Sequence, residues 1–222
     1  MRYLDLLTAL FATVLLVSNV ASTKLVVLGP FTFDGGTLLF PLAYIFGDVL
    51  TEVYGYRKSR RVIWIGFFAL LLATLTFQAV AHLPAPPDAE SQRFGEAFGL
   101  LLGLTPRIVL GSLLAYFLGE FANAYVLAKL KVRTEGRFFW LRALASTLVG
   151  QGLDTGVFLL VAFYGVFAKE VLLAVFLSNY AFKLGVEALM LPFTYAVVGF
   201  LKRAEGMDAY DRDTDFNPFR LT

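Results

Sequence analysis

The sequence predicts an all-α integral membrane protein, a six-transmembrane-helix bundle with both termini in the cytoplasm. Three observations predict this fold class. Hydrophobic residues make up 58% of the 222 residues and charged residues only 16%, whereas a soluble domain carries about 25% charged residues. The apolar residues are gathered in segments near the ~20 residues that span a bilayer. The loops between these segments differ in charge in a way that fixes a single orientation.

Six apolar segments are expected to cross the membrane as helices, which satisfy their own backbone hydrogen bonds in lipid. They are Leu4–Ala21, Gly36–Val53, Val62–Val80, Arg107–Leu130, Arg142–Phe167 and Val171–Leu201. The first is longer than the apolar region of a signal peptide and is expected to remain as a mature helix. The last is too long for a perpendicular crossing, so we expect it to tilt, to kink near Pro192 or to extend into the cytoplasm.

Two connections and the C-terminal end have unusual composition. Residues 24–33 are apolar and β-branched, which indicates a short hairpin or a lid on the outer face. The run Phe94–Leu104 is too short to span and is expected to lie in the interface or to dip in as a re-entrant segment. The chain thus divides into a six-helix transmembrane domain, residues 1–203, and a polar acidic cytoplasmic tail, residues 204–222, expected to be a solvated extension.

Loop charge predicts the orientation. The loop after the third span holds Asp88, Glu90 and Glu96 against Arg93, while the other three charged regions are basic. Their basic residues are Arg57, Lys58, Arg60, Arg61, Lys129, Lys131, Arg133, Arg137, Arg142, Lys202 and Arg203. Positive charge marks the cytoplasmic side, so all loops agree on six crossings with both termini inside.

Several classes of chemistry are excluded or disfavoured by what the sequence lacks. There is no cysteine and only one histidine, His82, so thiolate sites, disulfides and multi-histidine metal sites are excluded. No phosphate-binding glycine motif is present, so the chain has no ATPase of its own. A membrane-embedded hydrolase, using Ser146 with Lys183 or two facing aspartates, remains an alternative that no spacing requires. We expect no enzyme activity, no cofactor and no metal.

Polar side chains recur inside the predicted spans at helical spacing, on five of the six helices. They are Asp48 and Glu52, Glu120 and Asn123, Gln151 and Asp154, Lys183 and Glu187, with Asn19 and Asn179 near the outer helix ends. An ionised side chain at the bilayer centre costs about 2.5–3.5 kcal/mol. These groups should therefore face the bundle interior, which predicts a central hydrophilic cavity.

Structural interpretations stand beside the functional ones. Lys183 and Glu187 are four residues apart and would neutralise each other on one helix face. Amide side chains such as Asn123 often hold helices together by hydrogen bonds. Glu120 and Asp154 have no close basic partner in the sequence, which favours a functional role for these two.

Near the cytoplasmic end of the second span, Asp48 and Glu52 also have a structural interpretation. They could pair with the basic cluster that contains Arg60 and Arg61, as a structural lock or an inner gate.

Residues Phe40–Trp64, FPLAYIFGDVLTEVYGYRKSRRVIW, closely resemble the signature of the queuosine precursor transporter family, also called the vitamin uptake transporter family. Further matching positions are Ser18-Asn19 with Lys24, Gly119-Glu120 with Asn123, Gln151 through Asp154, and Lys183 with Glu187 ahead of Pro192. The resemblance extends to about Leu201 and leaves out the acidic tail.

The resemblance implies a multi-pass importer in the cell inner (plasma) membrane. Its substrate would be a 7-deazaguanine base such as 7-cyano-7-deazaguanine, a queuosine precursor salvaged for tRNA modification. The resemblance also implies kinship with the substrate-binding subunits of energy-coupling-factor vitamin transporters, so the alternative function is a binding subunit that needs a separate ATPase module. The expected partners are the deazapurine and the lipid bilayer, and no nucleic acid is expected. Whether the chain forms a homo-oligomer is left open.

A guanine-like base presents an N–H and an amine side by side, and one carboxylate accepts from both. Either Glu120 or Asp154 is expected to read this edge. The other substrate-binding candidates are Asn19, Asn123, Gln151 and Asn179 for amide contacts, with Lys183 and Glu187 as a nearby charge pair. The inner-gate candidates are Asp48, Glu52, Arg60 and Arg61.

Overall fold

The computed structural model describes residues 1–28, 31–104 and 106–220, and within them the chain forms seven α-helices and one two-stranded hairpin. The helices are α1 (Leu4–Ala21), α2 (Phe40–Tyr54), α3 (Tyr56–Ala81), α4 (Ala89–Leu102), α5 (Pro106–Arg133), α6 (Phe139–Phe163) and α7 (Lys169–Glu205). The strands are β1 (Leu25–Leu28) and β2 (Phe31–Asp34), and a 3-10 turn, Gly35–Leu38, follows them. The protein is therefore mainly helical.

Five helices of the described chain, α1, α3, α5, α6 and α7, are long and apolar enough to cross a membrane. The bounds of α1 are those the sequence predicts, and the other four differ from their predicted spans only at the ends. α7 runs without a break through Pro192 for 37 residues, about 55 Å at 1.5 Å per residue. Its length exceeds the ~30 Å hydrocarbon core, so the helix is too long for a perpendicular crossing, as the sequence predicts.

The second predicted span differs most from its prediction. Its first residues form the 3-10 turn, where the Gly35 N–H donates to the Lys24 carbonyl at 2.8 Å and closes the hairpin. The helix itself, α2, has only 15 residues, about 22 Å. Most of its described side chains are buried, among them Ala43, Asp48 and Val53. α2 is thus the buried centre of the bundle, with α1, α3, α5 and α7 packed around it.

The backbones of α5 and α6 approach closely because glycines face each other at their crossing. A Cβ atom placed on Gly119 would lie 2.8 Å from the Cβ of Asp154 and 3.0 Å from the Gly150 carbonyl oxygen. A Cβ on Gly150 would lie 2.8 Å from the Cβ of Asn123. Small residues at such crossings let transmembrane helices pack backbone to backbone. The crossing fixes the polar residues on both helices relative to each other.

The connections follow some expectations and correct others. The predicted hairpin is confirmed, with Leu25 opposite Asp34 and Leu28 opposite Phe31, and residues 29–30 lie outside the described residues. α4 begins where the Asp88 carboxylate accepts a hydrogen bond from the Ser91 N–H at 2.8 Å, a typical N-cap. No residue of α4 is buried, so it lies on the surface of the bundle and does not insert between the other helices.

The expectation of a solvated tail is wrong. Residues 207–220 fold back on the end of the bundle that we call the base, which holds the start of α1, the α2–α3 turn and the end of α7. The Ala209 N–H donates to the Val53 carbonyl at 3.2 Å, and the Asp211 carboxylate accepts from the Tyr56 N–H at 2.9 Å.

Apolar contacts add to these hydrogen bonds. The Phe216 ring packs on the ring of Tyr56 with centroids 4.8 Å apart. The tail docks because its acids reach unpaired N–H groups and cations while its aromatic rings leave water.

Candidate functional site

A cavity of about 740 Å³ lies between α1, α2, α5, α6 and α7. At one end, which we call the mouth, it is lined by exposed residues, Asn19 of α1 and Ser178 of α7, and by half-buried Asn179. At its floor, deep in the bundle, lie Tyr44 and Glu120, both buried. Its size falls within the roughly 300–1,000 Å³ of small-molecule sites.

An ion pair between α6 and α7 lies on the floor of the cavity. The Lys183 Nζ is 3.2 Å from the Asp154 Oδ2 and 3.5 Å from the Thr155 hydroxyl. The two side chains are mostly, but not wholly, buried, with 13% and 14% of their surfaces exposed. The Lys183 ammonium, a donor, and the Asp154 carboxylate, an acceptor, therefore lie side by side at the same depth in the cavity. This pairing across helices was not predicted from the spacing of Lys183 and Glu187 on α7.

Glu120 lies beside this pair, on α5. Its Oε2 would be 3.1 Å from a Cβ on Gly47 of α2, so the missing side chain of Gly47 makes room for the carboxyl group. Tyr44, three residues before Gly47, lines the cavity and is 1% exposed. The floor thus combines two carboxyl groups, one ammonium and one phenol.

Beneath the floor lies a buried polar layer, formed by Asp48, Asn123, Thr147, Gln151 and Glu187. The Asn123 amide donates to the Asp48 carboxylate at 2.9 Å, and the Thr147 hydroxyl donates to Glu187. Two side-chain oxygens in the layer, Asn123 Oδ1 and Gln151 Oε1, are buried and accept no hydrogen bond from the described residues. Such groups are rare in folded proteins and call for an explanation.

Below this layer, at the base, Glu52 is enclosed by cations in what we call the base ion cluster. Arg142 donates to it through both terminal nitrogens, at 2.6 and 3.2 Å, and Lys202 at 2.7 Å. Lys131 is 3.5 Å away. This cluster joins α2, α5, α6 and α7, and the tail residue Asp208 binds the same two lysines.

Asp208 is the acid of this cluster that lies outside the helices. Burial by itself would raise the pKa of Asp208, but the hydrogen bonds from Lys131 and Lys202 outweigh it and hold that pKa below its ordinary value. The tail is thus bound to the base by an acid that stays ionised at neutral pH.

The predicted pairing of Asp48 and Glu52 with Arg60 and Arg61 is wrong. Glu52 takes its cations from other helices, and Arg60 donates to the tail carbonyls of Asp215 and Asn217 at 2.9 and 2.6 Å. Arg61 is exposed. A buried carboxylate pairs with cations that lie at the same depth in the helix bundle, and the charges of the loops do not show that depth.

The structure distributes the predicted site residues over several levels. Asn19 and Asn179 lie at the mouth; Glu120, Asp154 and Lys183 on the floor; Asp48, Asn123, Gln151 and Glu187 in the buried polar layer; Glu52 at the base. Sequence reasoning missed the cavity-lining Phe158. Its position four residues after Asp154 was the signal, because it places both on one face of α6.

The sequence model of a family described as "Putative vitamin uptake transporter" matches residues 34–197 of the chain. A Bacillus subtilis (strain 168) protein named "Probable queuosine precursor transporter" is 36% identical over 188 residues, which are 84% of this chain and 80% of that protein. The "Queuosine precursor transporter" of Escherichia coli (strain K12) is 27% identical over 73% of this chain and 71% of its own length.

A "Probable queuosine precursor transporter" of Haemophilus influenzae (strain ATCC 51907 / DSM 11121 / KW20 / Rd) is 26% identical over 73% of this chain and 67% of its own length. No solved structure is a significant match to this chain.

Proposed function

We propose, from the premise that this chain belongs to the vitamin uptake transporter family, that it imports queuosine precursors of the 7-deazaguanine class through the cavity between its helices. The relatives described above are named as transporters and not as enzymes. The observation that carries the cavity assignment is the Asp154–Lys183 pair, which places a carboxylate and an ammonium side by side on the floor.

The edge of a guanine-like base matches this pair. The base presents a carbonyl oxygen, then a ring N–H, then an exocyclic amine. An ammonium donates to the first, and a carboxylate accepts from the other two. Lys183 Nζ carries three N–H donors, so it can keep one hydrogen bond to Asp154 while donating another to the carbonyl. We therefore assign the edge-reading role to Asp154, with Glu120 beside it.

Phe158 is the aromatic side chain best placed to stack on the base. It lines the cavity one helical turn from Asp154, toward the mouth. Its ring meets that of Phe163 edge to face at 5.6 Å, which holds its orientation. A base bound at Asp154 would bring its flat face against Phe158, and such stacking is worth about 1–3 kcal/mol.

The proposed topology has six crossings in the cell inner membrane, with both termini in the cytoplasm. α2 and the segment before it would make the sixth crossing, inside the bundle and shielded from lipid. The basic residues near the base, such as Arg57, Lys58 and Arg203, support this orientation. The mouth would then open to the outside, and the base would close the inner side.

The test is uptake of labelled 7-cyano-7-deazaguanine into cells that lack their own importer and their own synthesis of this base. Cells with this chain should take up the label, and excess unlabelled 7-cyano-7-deazaguanine should compete. Asp154→Asn replaces an acceptor by a donor and should reduce uptake at least tenfold, since each lost charge-assisted hydrogen bond is worth about 1.5–3 kcal/mol.

Glu96→Gln, on the exposed helix α4, is the matched control and should leave uptake unchanged. No uptake with the chain present in the membrane would refute the proposal. Uptake that needs an added ATPase module would replace it by the binding-subunit function. Uptake that survives Asp154→Asn would remove the assigned site.

A further inference from the structure

The interior above the base ion cluster contains more acids than cations. Asp48, Glu120, Asp154 and Glu187 all lie within electrostatic reach of Tyr44. Lys183 is the one basic side chain among the described residues that line the cavity, and one lysine balances at most one of four carboxylates. Each unbalanced ionised carboxylate near the bilayer centre costs about 2.5–3.5 kcal/mol.

Two acceptor oxygens of the buried polar layer also lack a hydrogen-bond donor. Ionised carboxylates only accept hydrogen bonds. The Asn123 amide already donates to Asp48, and the Thr147 hydroxyl already donates to Glu187. The oxygens of Asn123 and Gln151 find no donor within the described chain. A carboxylic acid O–H supplies the kind of group that is missing.

Gln151 belongs to this layer by its position on α6. Thr147, four residues before it, donates to Glu187, and Thr155, four residues after it, is 3.5 Å from the Lys183 ammonium. Residues four apart share a helix face, so the buried Gln151 side chain faces the same α6–α7 interface. Its unpaired oxygen and that of Asn123 are therefore independent signs of a ligand that donates hydrogen bonds to this acidic region.

A proton fits the layer better than a metal ion. Among the described residues no three acidic or histidine side chains converge closely enough to hold a metal. A proton needs no coordination cage. It would neutralise one buried carboxylate and at the same time add one hydrogen-bond donor. A single proton therefore reduces the excess negative charge and supplies a missing donor.

We propose that the pair Asp48 and Glu187 binds a proton, and that transport of the base is coupled to movement of this proton. The inference rests on the proposed function and adds its driving ion. The charged and titratable groups within electrostatic reach of Asp48 are Tyr44 and Glu52 of α2, Glu120 of α5 and Glu187 of α7, and the Asn123 amide donates to it. Asp154 of α6 and Lys183 of α7 lie above this layer, on the cavity floor. α1 and α3 add no charged side chain to the described cavity lining.

The experiment uses the purified full-length chain in lipid vesicles with labelled 7-cyano-7-deazaguanine outside and a pH-sensitive dye inside. With an outside pH one unit below the inside pH, the label should accumulate up to about tenfold, the limit for one proton per base. The dye should report acidification when the base is added. Without a gradient the label should only equilibrate.

Asp48→Asn is permanently neutral and keeps the shape of the side chain. It should bind the base with unchanged affinity but lose both accumulation and base-dependent acidification. Glu187→Gln makes the same test if Asp48→Asn does not reach the membrane, and Glu96→Gln on α4 should behave like the unaltered chain.

Equilibration that ignores the proton gradient would overturn the coupling and leave the proposed function intact. Accumulation driven only by a sodium gradient would replace the proton by sodium. An Asp48→Asn chain that still accumulates the base would remove this residue from the coupling. Absence of both binding and uptake would refute the proposed function and the coupling with it.

Discussion

Two carboxylates one turn apart on α2, Asp48 and Glu52, lie in contrasting regions of the molecule. Both are about 1% exposed. Glu52, in the base ion cluster, is within 4 Å of three cations, Arg142, Lys131 and Lys202. Asp48, in the buried polar layer, accepts from the amide of Asn123. A carboxyl side chain at the same burial can therefore hold helices together in one region and remain short of positive charge in another.

The largest expected effect comes from removing the acid of the base ion cluster. Glu52→Gln would leave Arg142 buried without a carboxylate, and breaking a buried ion pair costs about 3–5 kcal/mol. Asp48→Asn strands no cation and alters one hydrogen bond, so its loss should be about 1 kcal/mol. Thermal unfolding of the two variants in the same detergent measures the difference. Equal losses would show that the two regions do not differ as described.

The second prediction concerns the α5–α6 crossing, whose close packing fixes the positions of the polar residues on the cavity floor. Gly119→Ala places a methyl group against Asp154 and the Gly150 carbonyl, and overpacking of this kind costs about 1–3 kcal/mol. Gly185→Ala on α7 meets no atom within 4 Å and should be neutral or slightly stabilising. The readouts are melting temperature and base binding, which should both fall for Gly119→Ala alone.

The third prediction tests whether the base stacks on Phe158 in the cavity. Phe158→Ala should weaken binding of the base about 5- to 150-fold, the equivalent of 1–3 kcal/mol of stacking. Leu153→Ala, an exposed position on the same helix, is the control. Equilibrium binding of 7-cyano-7-deazaguanine gives the answer, and an unchanged affinity for Phe158→Ala would place the base elsewhere in the cavity.

The smallest effect is expected at the exposed edge of the base ion cluster. The pKa of Asp208 is lowered in the folded chain, so its contribution is complete above the ordinary carboxyl pKa of about 3.9 and is lost as the pH falls through the lower folded value. Because the Asp208 side chain is 43% exposed, Asp208→Asn should cost at most about 1 kcal/mol.

Trp64 donates to the Pro218 carbonyl at 2.7 Å, so its fluorescence, in a Trp140→Phe background, reports tail docking. In the unaltered chain the signal should stay constant above about pH 4 and change as the pH falls further, and the change should be smaller in Asp208→Asn. A tail that leaves the base at neutral pH would contradict the docking itself.

The sequence was sufficient for the helices that face lipid, because an apolar run near 20 residues is a direct consequence of bilayer thickness. It placed α1 correctly at both ends. It gave α2 the wrong start, because the residues just before Phe40 satisfy hydropathy equally well as a 3-10 turn. The short length of α2 became interpretable only once the structure showed it surrounded by other helices.

The partners of the charged residues were beyond the sequence. Lys183 meets Asp154, and Glu52 meets Arg142, because of the depth and rotation of three different helices. Arg142 was counted with the loop charges since it stands near a helix start, yet it is wholly buried. Which amino acids form the interior was predictable, but their pairing depends on tertiary geometry.

Pro192 gives α7 a point of low bending stiffness. A proline has no N–H to donate to the carbonyl of Ala188, and its ring crowds that carbonyl, so the helix resists deformation less here than elsewhere. Lys183 and Glu187 lie on one side of this point, while Lys202 and Glu205 are anchored at the base on the other. Any bending of the helix at this point would therefore move Lys183 and Glu187 against their α6 partners, Asp154 and Thr147, while the other half stays fixed at the base.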